Sequence, residues 1–250
     1  MLNTTKQRNS TQEQNKQEQN NQGELTPGYK GTTMLHNNVV KVNQSTELIS
    51  VLPDEEELFS TLGTIYGTCY CSDTLDKDRN KRRVLNGIKR GHLSPLEHIS
   101  ITLKIVIDRA SAFALVRHRH CAFTQQSTIY TKYKELQVID LPEEDCYFSG
   151  YKYRPMNEEL IDEIAKSYFE KLEQGTPAGI ARDDLPNCLA TTLYMTTNLR
   201  EWFYILWLRK DPADSPRIHL FIKQLDTLLK SRLPELYRAF ADAHTCNCKQ

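Results

Sequence analysis

Three consecutive side chains with cationic or titratable groups, Arg117, His118 and Arg119, are followed by a serine at position 127. Successive side chains of a helix or strand point in different directions, so the three cannot all lie on one face of a regular element. Arginine carries a permanent charge and paired N–H donors that match the oxygens of a phosphate. The pattern therefore favours a site for a polyanionic ligand. The alternative is a solvated basic turn that binds nothing.

The overall charge limits the kinds of ligand. The 250 residues include 32 Lys and Arg and 32 Asp and Glu, and a net charge of zero argues against broad binding to a nucleic acid backbone. Basic residues must instead act locally. No apolar run is long enough to span a bilayer, and the N-terminus lacks the apolar core of a signal peptide. We expect a protein of the cytoplasm, or of the host cytoplasm if the source is viral, with neither nucleic acid nor membrane as partner.

The seven cysteines lack the spacing of a disulfide framework or a zinc site. Two Cys-x-Cys pairs, at 69–71 and 246–248, are separated by one residue, whereas paired zinc ligands usually have a wider gap. We expect reduced thiols and no metal site.

One globular domain is expected between two irregular ends. Residues 1–32 form a Gln- and Asn-rich segment that cannot bury enough apolar surface to fold, so a disordered tail is predicted. The folded domain is predicted over 33–243, and residues 244–250 are expected to be a flexible C-terminus.

The elements that must position the basic triplet can be read from apolar periodicity. Residues 99–107 alternate apolar and polar side chains, which predicts a half-buried strand. Residues 109–116 are small and apolar and predict a helix that ends at the triplet. Further predicted elements are extended runs at 39–42 and 48–51, and helices at 55–62, 73–90, 157–174, 197–209 and 216–232. The mixture predicts an α+β fold that is rich in helices in its C-terminal half, with the apolar helix 197–209 buried on nearly all sides.

Several short motifs occur in order along the chain, beginning with Arg-His-Arg, seven residues and Ser127. In type and spacing they resemble the motifs of the flavin-dependent thymidylate synthases, the ThyX family, over roughly residues 90–229. The other motifs are Gly91–His98, Ala181–Arg182 with Pro186, Asn198 with Arg200, and Leu208–Arg209. Their joint presence favours the ligand site over the solvated turn.

The resemblance implies a fold, a reaction and an assembly. The fold is a ThyX-like antiparallel sheet packed with helices. The reaction is the reductive methylation of dUMP to dTMP, with 5,10-methylenetetrahydrofolate as carbon donor and FAD, reduced by NADPH, as hydride donor. The family assembles as a homotetramer whose sites lie at subunit junctions. No enzyme nucleophile is needed, so Cys121 and Cys188 are expected to be dispensable.

The resemblance also implies roles for individual residues. Arg209 is the expected catalytic residue, because its family counterpart contacts the pyrimidine and favours the N3-ionised form. The expected substrate-binding residues are Arg117, Ser127, Arg182 and Arg209, with Arg182 on the phosphate. The expected cofactor-binding residues are His98, Ser100, Arg117, His118, Arg119, Gln125, Asn198, Arg200 and Tyr204. Two alternatives remain: His98 as a structural histidine, and Arg182 as the partner of Asp183 or Asp184 in a surface ion pair of little energetic value.

The chain departs from the family pattern on the nucleotide side. Gln125 replaces a glutamate, Ile129 an arginine and Ala114 a glutamine. A substitute cation is expected only from Lys132, Arg217 or a protonated His219. These changes leave two alternatives open. Beside the expected thymidylate synthase, these are a related flavin-dependent hydroxymethylase acting on a pyrimidine nucleotide, and a flavin- or nucleotide-binding homologue without catalysis.

Overall fold

The structure is a computed structural model that describes residues 33–34, 38–72, 75–141, 147–148, 151–152 and 156–247. For residues 33–34, 147–148, 151–152 and 244–247 only the backbone is described. The predicted tail, residues 1–32, lies outside the described residues. Within the described ranges, no helix combines the length and the apolar character needed to cross a membrane.

The central sheet has four antiparallel strands in the order β3-β4-β9-β5. β4 (Ser100–Asp108) and β9 (Ala190–Asn198) pair along all nine residues of each strand. β3 (Ser45–Leu48) lies on the free edge of β4, and β5 (Ala122–Gln125) on that of β9. One face of β4 is fully buried and carries the predicted alternating residues Ile101, Leu103, Ile105 and Ile107. The predicted antiparallel sheet is confirmed.

Two smaller sheets complete the strand set. β1 (Thr33–Met34) and β6 (Leu136–Val138) flank β2 (Val39–Lys41), antiparallel and parallel respectively. β7 (Tyr147–Phe148) pairs with β8 (Tyr151–Lys152). The predicted extended run at 39–42 is thus found, whereas the run at 48–51 overlaps β3 only at Leu48.

The helices surround the central sheet and are most frequent after residue 156. They are α1 (Glu55–Thr68), α2 (Lys77–Lys89), α3 (Arg109–Leu115), α4 (Glu158–Glu173), α5 (Ala178–Ala181), α6 (Leu199–Leu208), α7 (Pro216–Arg232) and α8 (Pro234–Asn247). Short 3-10 helices lie at Ser94–His98 and Arg182–Asp184. The predicted α+β class with a helix-rich C-terminal half is confirmed.

Two helical expectations need correction. Residues 197–198 belong to β9, and α6 begins only at Leu199 because the Asn198 side chain caps it by accepting the Glu201 N–H at 2.9 Å. α6 is also not buried on all sides, since Leu208 is 44% exposed. The sequence did not predict α8, which packs Leu236 and Phe240 into the core and extends to Asn247; the flexibility expected of 244–250 stays a prediction. Residues 248–250 lie outside the described ranges.

The close packing of α1 against α2 gives a test of the fold. A Cβ added at Gly63 would lie 2.3 Å from Asn80 Cβ and 2.7 Å from Asn80 Cα, so the α2 backbone itself would have to move. We expect Gly63→Ala to lower the free energy of unfolding by about 2 kcal/mol, because this overlap outweighs the helix preference of alanine. Urea denaturation monitored by circular dichroism measures the change.

The matched control is Thr61→Ala, at an exposed position of the same helix. This variant should show no loss of stability. Equal denaturation midpoints for the Gly63 variant and the unchanged protein would contradict the close approach.

Candidate active site

A cavity of ≈ 670 Å³ lies between the basic triplet and helix α6. Seven of the residues expected from the sequence to bind cofactor or substrate line it together: Arg117, His118, Arg119, Asn198, Arg200, Tyr204 and Arg209. The structure adds four residues to this lining that were not among the expected binding residues, namely Glu97, His120, Glu201 and Leu208.

The sheet brings these distant segments together. β5 pairs Ala122 with Thr196, so the chain that leaves β4 at Asp108 crosses the sheet and arrives beside the end of β9. The Thr197 hydroxyl then donates to the backbone carbonyl of His120 at 2.7 Å. The residue that follows the triplet is thereby fixed next to the first turn of α6, which carries Arg200.

Two guanidinium groups of the triplet are uncompensated. Arg117 and Arg119 are exposed at the cavity, and neither makes a side-chain hydrogen bond or ion pair with a residue that the structure describes. Arg200, by contrast, pairs with Glu97 at 2.5 Å. The cavity thus offers two free permanent cations to an anionic ligand.

His118 is the buried member of the triplet and lies between the carboxylate of Glu201 and the guanidinium group of Arg209. It is 6% exposed, its Nδ1 lies 3.4 Å from Glu201 Oε1, and its Nε2 accepts a hydrogen bond from Arg209 Nε at 3.2 Å. Since Nε2 is the acceptor, the proton of the neutral ring is on Nδ1, facing Glu201. Burial, followed by the charge of Arg209, lowers the pKa of His118 from its usual 6.5.

Arg209 is tied down through all three of its nitrogens. Besides the bond to His118, one terminal nitrogen lies 3.3 Å from Asp214 Oδ1, and the other donates to the Ala114 carbonyl at 2.9 Å. The side chain is only 17% exposed yet lines the cavity. A fixed, permanent cation is therefore presented at one point of the wall.

Sequence reasoning missed Glu201 and Asp214, the two acids of this cluster. A signal was present for Glu201, because it is the one acidic residue in the otherwise largely apolar α6 segment. An acid at that position must either face solvent or meet a partner, and its side chain is 13% exposed. No comparable signal marked Asp214, which lies in a polar stretch.

Two of the four expected substrate-binding residues, Ser127 and Arg182, are not part of the cavity lining. Ser127 Oγ accepts the backbone N–H groups of Ile129 and Tyr130 at 3.1 and 3.4 Å. Arg182 donates to the Gly179 carbonyl at 3.1 Å and to Thr128 Oγ1 at 3.3 Å. Arg182 and the Ser127 turn thus form a second group of functional candidates, distinct from the cavity within one chain.

Three more expected cofactor residues also lie off the cavity lining. Gln125 donates to Thr191 Oγ1 at 3.2 Å, while His98 and Ser100 are exposed.

The expected surface ion pair of Arg182 is not seen among the described contacts. Asp184 instead binds Lys171 at 2.6 Å and accepts from Ser167 at 2.7 Å, and these two partners hold the pKa of its carboxyl below the usual range. Arg182 is consequently not neutralised by this neighbour.

The expected substitute cations do not reach the cavity either. Arg217 is buried and donates to the Ile139 carbonyl at 2.6 Å, and the His219 ring lies 2.9 Å from the Asp211 carbonyl. Lys132 is exposed and follows the Ser127 turn in the sequence. The charge lost at Ile129 is therefore not restored from the segment around position 217.

The cysteines near the motifs are poor nucleophiles. Burial raises the pKa of the Cys121 and Cys188 thiols, which keeps them protonated at neutral pH. Among the residues that the structure describes, no group of three or more His, Cys, Asp or Glu is arranged to hold a metal ion.

Comparison with known proteins shows the family of the chain. Residues 47–235 match the family described as "Thymidylate synthase complementing protein". The flavin-dependent thymidylate synthase of Corynebacterium efficiens is 30% identical over 190 residues, covering 68% of this chain and 75% of the relative. That of Kosmotoga olearia is 25% identical over 209 residues, covering 77% and 88%.

A solved structure supports the fold. The UMP/dUMP methylase PolB from Streptomyces cacaoi, bound with 5-Br dUMP, is similar with a TM-score of 0.67 at 20% identity. The similarity covers 80% of this chain and 95% of that one.

The environment of His118 predicts a pH dependence of stability. Its pKa is lower in the folded chain than in the unfolded chain, where it is near 6.5, so the unfolded state binds more protons below that pH. The stabilising contribution is full above pH 6.5 and is lost as the pH falls from there towards the folded-state pKa. We expect the stability advantage of the unchanged protein over His118→Gln to shrink between about pH 7.5 and pH 5.

Glutamine is a suitable substitute because its amide oxygen can still accept from Arg209 without titrating. Urea midpoints at several pH values measure the difference between the two proteins. A difference that stays constant with pH would contradict the depressed pKa.

Proposed function

Because the chain belongs to the thymidylate synthase complementing protein family, we propose that it is a flavin-dependent thymidylate synthase that methylates dUMP to dTMP. The observation that carries this proposal is the cavity in which the free cations Arg117 and Arg119 face the anchored cation of Arg209. Such a site suits a large anionic cofactor next to a smaller anionic substrate.

The residues present fit FAD. The cavity volume of ≈ 670 Å³ is in the range of cofactor sites, and the two unpaired guanidinium groups match the oxygens of a pyrophosphate. Further polar and aromatic contacts are available from Asn198, at the end of β9, and from Arg200 and Tyr204 of α6. When bound, FAD reduced by NADPH supplies the hydride of the reaction, and methylenetetrahydrofolate supplies the carbon.

Arg209 is the proposed catalytic residue. Its fixed positive charge would favour the N3-ionised, more nucleophilic pyrimidine. Neutral His118 holds this guanidinium by accepting a hydrogen bond and adds no second positive charge beside it. Glu201 restrains the His118 ring, and Asp214 restrains the Arg209 guanidinium group.

We further propose that the complete site is built from several copies of the chain in a homotetramer. Support comes from the separation of Ser127 and Arg182 from the cavity. Next to them, the large apolar side chains of Ile129, Tyr130 and Ile180 are 47%, 83% and 59% exposed. Such a patch is typical of an interface, which would bring these residues to the cavity of a neighbouring copy.

The activity is tested by anaerobic incubation with FAD, NADPH, methylenetetrahydrofolate and dUMP, followed by mass analysis of the nucleotide. We expect dTMP from the unchanged protein. Arg209→Ala should lower the rate about a hundredfold or more, because a charge aimed at the developing anion is removed. Arg232→Ala, at an exposed position of α7 away from the cavity, is the matched control.

A hydroxymethyl mass gain would show the related hydroxymethylase activity instead. Unchanged dUMP together with bound, NADPH-reducible flavin would contradict the synthase. A parallel incubation with UMP is included because the solved methylase of similar fold is named for both nucleotides.

The assembly is tested by mixing two defective variants. Arg182→Ala and Arg200→Ala should each lose about tenfold or more in activity, because each removes a charge-assisted contact on one side of the site. If different copies supply the two arginines, mixed tetramers contain some intact sites, and activity should partly return after subunit exchange.

Mixing Arg182→Ala with Ser127→Ala is the control, since both defects lie on the same side of the site and no recovery is expected. Mixed tetramers that are seen by native mass spectrometry but show no recovery for the first pair would contradict a shared site.

A further inference from the structure

A second cavity of ≈ 340 Å³ adjoins the first. It lies between the end of α2, the outer side of α6 and the last turns of α8. Arg200 and Tyr204 line both cavities and therefore form part of the wall that separates them. None of the roles proposed above uses this second space.

Its inner surface is aromatic and apolar. Phe203 and Phe240 stack with their ring centroids 3.8 Å apart and an angle of 14° between the planes, and this nearly buried pair forms the base of the cavity together with Ile88 and Leu93. Trp207 is partly buried and Tyr204 is 55% exposed, so these two rings are the accessible aromatic groups. Flat rings of this kind favour a planar ring over a branched aliphatic group.

Two cations besides Arg200 line the same cavity. Lys89 and Arg90 are exposed, and neither side chain forms a hydrogen bond or ion pair with any residue in the described ranges. Gly91 follows with a φ of +76°, which ends α2 and turns the chain away directly after the two cations. A basic residue at a helix end is favoured by the helix dipole alone, so it is the adjoining aromatic cavity that gives the pair a binding role.

We propose that this second cavity binds a planar aromatic ring linked to a phosphate or carboxylate group, and that the occupant is one end of a co-substrate. The ring lies against the aromatic lining, and the anion is bound by Lys89 and Arg90. The identity of the co-substrate rests on the proposed function. Its two sources are the phosphoadenosine end of NADPH and the aminobenzoyl-glutamate end of the folate.

The shared wall gives this occupant a functional position. A long molecule anchored in the second cavity passes Arg200 and Tyr204 to reach the first. Arg200 is already paired with Glu97, so the wall is held in place before the ligand arrives. Binding energy from the remote end thereby positions the reacting end.

The test measures binding directly, by calorimetry on the full chain, with 2′,5′-ADP and with p-aminobenzoyl-glutamate as separate probes. We expect one probe to bind, and the tighter one identifies the source. The double variant Lys89→Gln/Arg90→Gln should weaken that binding about tenfold or more, because charge-assisted contacts are lost. Its matched control, Lys77→Gln/Arg82→Gln, removes the same two charges from exposed positions of the same helix and should bind normally.

A second variant tests whether the loss of binding comes from the cavity itself and not from the changed net charge of the protein. Ala243→Phe fills the cavity from α8 without changing charge and should also weaken the probe. Thermal unfolding of each variant verifies that it is folded.

Absence of binding by both probes at millimolar concentration overturns the inference, as does undiminished binding in the folded Lys89/Arg90 variant. Because binding is measured without turnover, failure of the synthase assay leaves this result interpretable. If the probe binds but no dTMP is formed, the proposed function is refuted, whereas the proposal that the second cavity binds an anionic aromatic ligand still holds.

Discussion

The nine-residue antiparallel pairing of β4 with β9 is the constraint on which the rest of the structure depends. Every strand of the central sheet is attached to one of these two, and both helices that carry the basic side chains leave directly from their ends. Because the pairing has no bulge, the register from Ser100 with Asn198 to Asp108 with Ala190 is uninterrupted. The relative position of the triplet and α6 is thereby set by backbone hydrogen bonds and not by flexible loops.

The charge arrangement of the cavity follows from this framework. Burial of His118 keeps it neutral, so Arg209 has a hydrogen-bond acceptor beside it instead of a competing cation. The acid Asp214 offsets the guanidinium of Arg209, while Arg117 and Arg119 have no ion-pair partner among the residues that the structure describes and can bind an anion. The same triplet thus divides into one buried residue, His118, and two exposed residues, Arg117 and Arg119, at the cavity.

The sequence was informative where local periodicity and local capping decide the structure. The alternation of β4, the short α3 and the amphipathic α4 with its stop at Gly175 could all be predicted, because each depends on neighbouring residues. β9 was not predicted, because its threonines and Tyr194 blur the alternation. The continuation of α8 depends on tertiary burial of Leu236 and Phe240, which no local pattern contains.

For the site, the motifs identified most of the cavity lining but not its arrangement. Motif spacing does not reveal that Ser127 and Arg182 lie apart from Arg117 within one chain. It also does not reveal that Glu201 and Asp214 restrain His118 and Arg209, since these contacts join residues that are far apart in sequence. Long-range contacts of this kind arise only from the folded sheet.

The corners at Asp108 and Asn198 have one more consequence. Each of these residues is both the last residue of its strand and the cap of the following helix, so no loop residue lies between strand and helix. One residue inserted at the second corner would rotate α6 by about 100° and turn Arg200 and Arg209 away from the cavity. The Ser127 turn is followed by irregular chain and then by β6, so no helix takes its direction from it. A change in length at the corners would therefore redirect the arginines of the cavity, whereas a change in length at the turn would leave the direction of α6 unaltered.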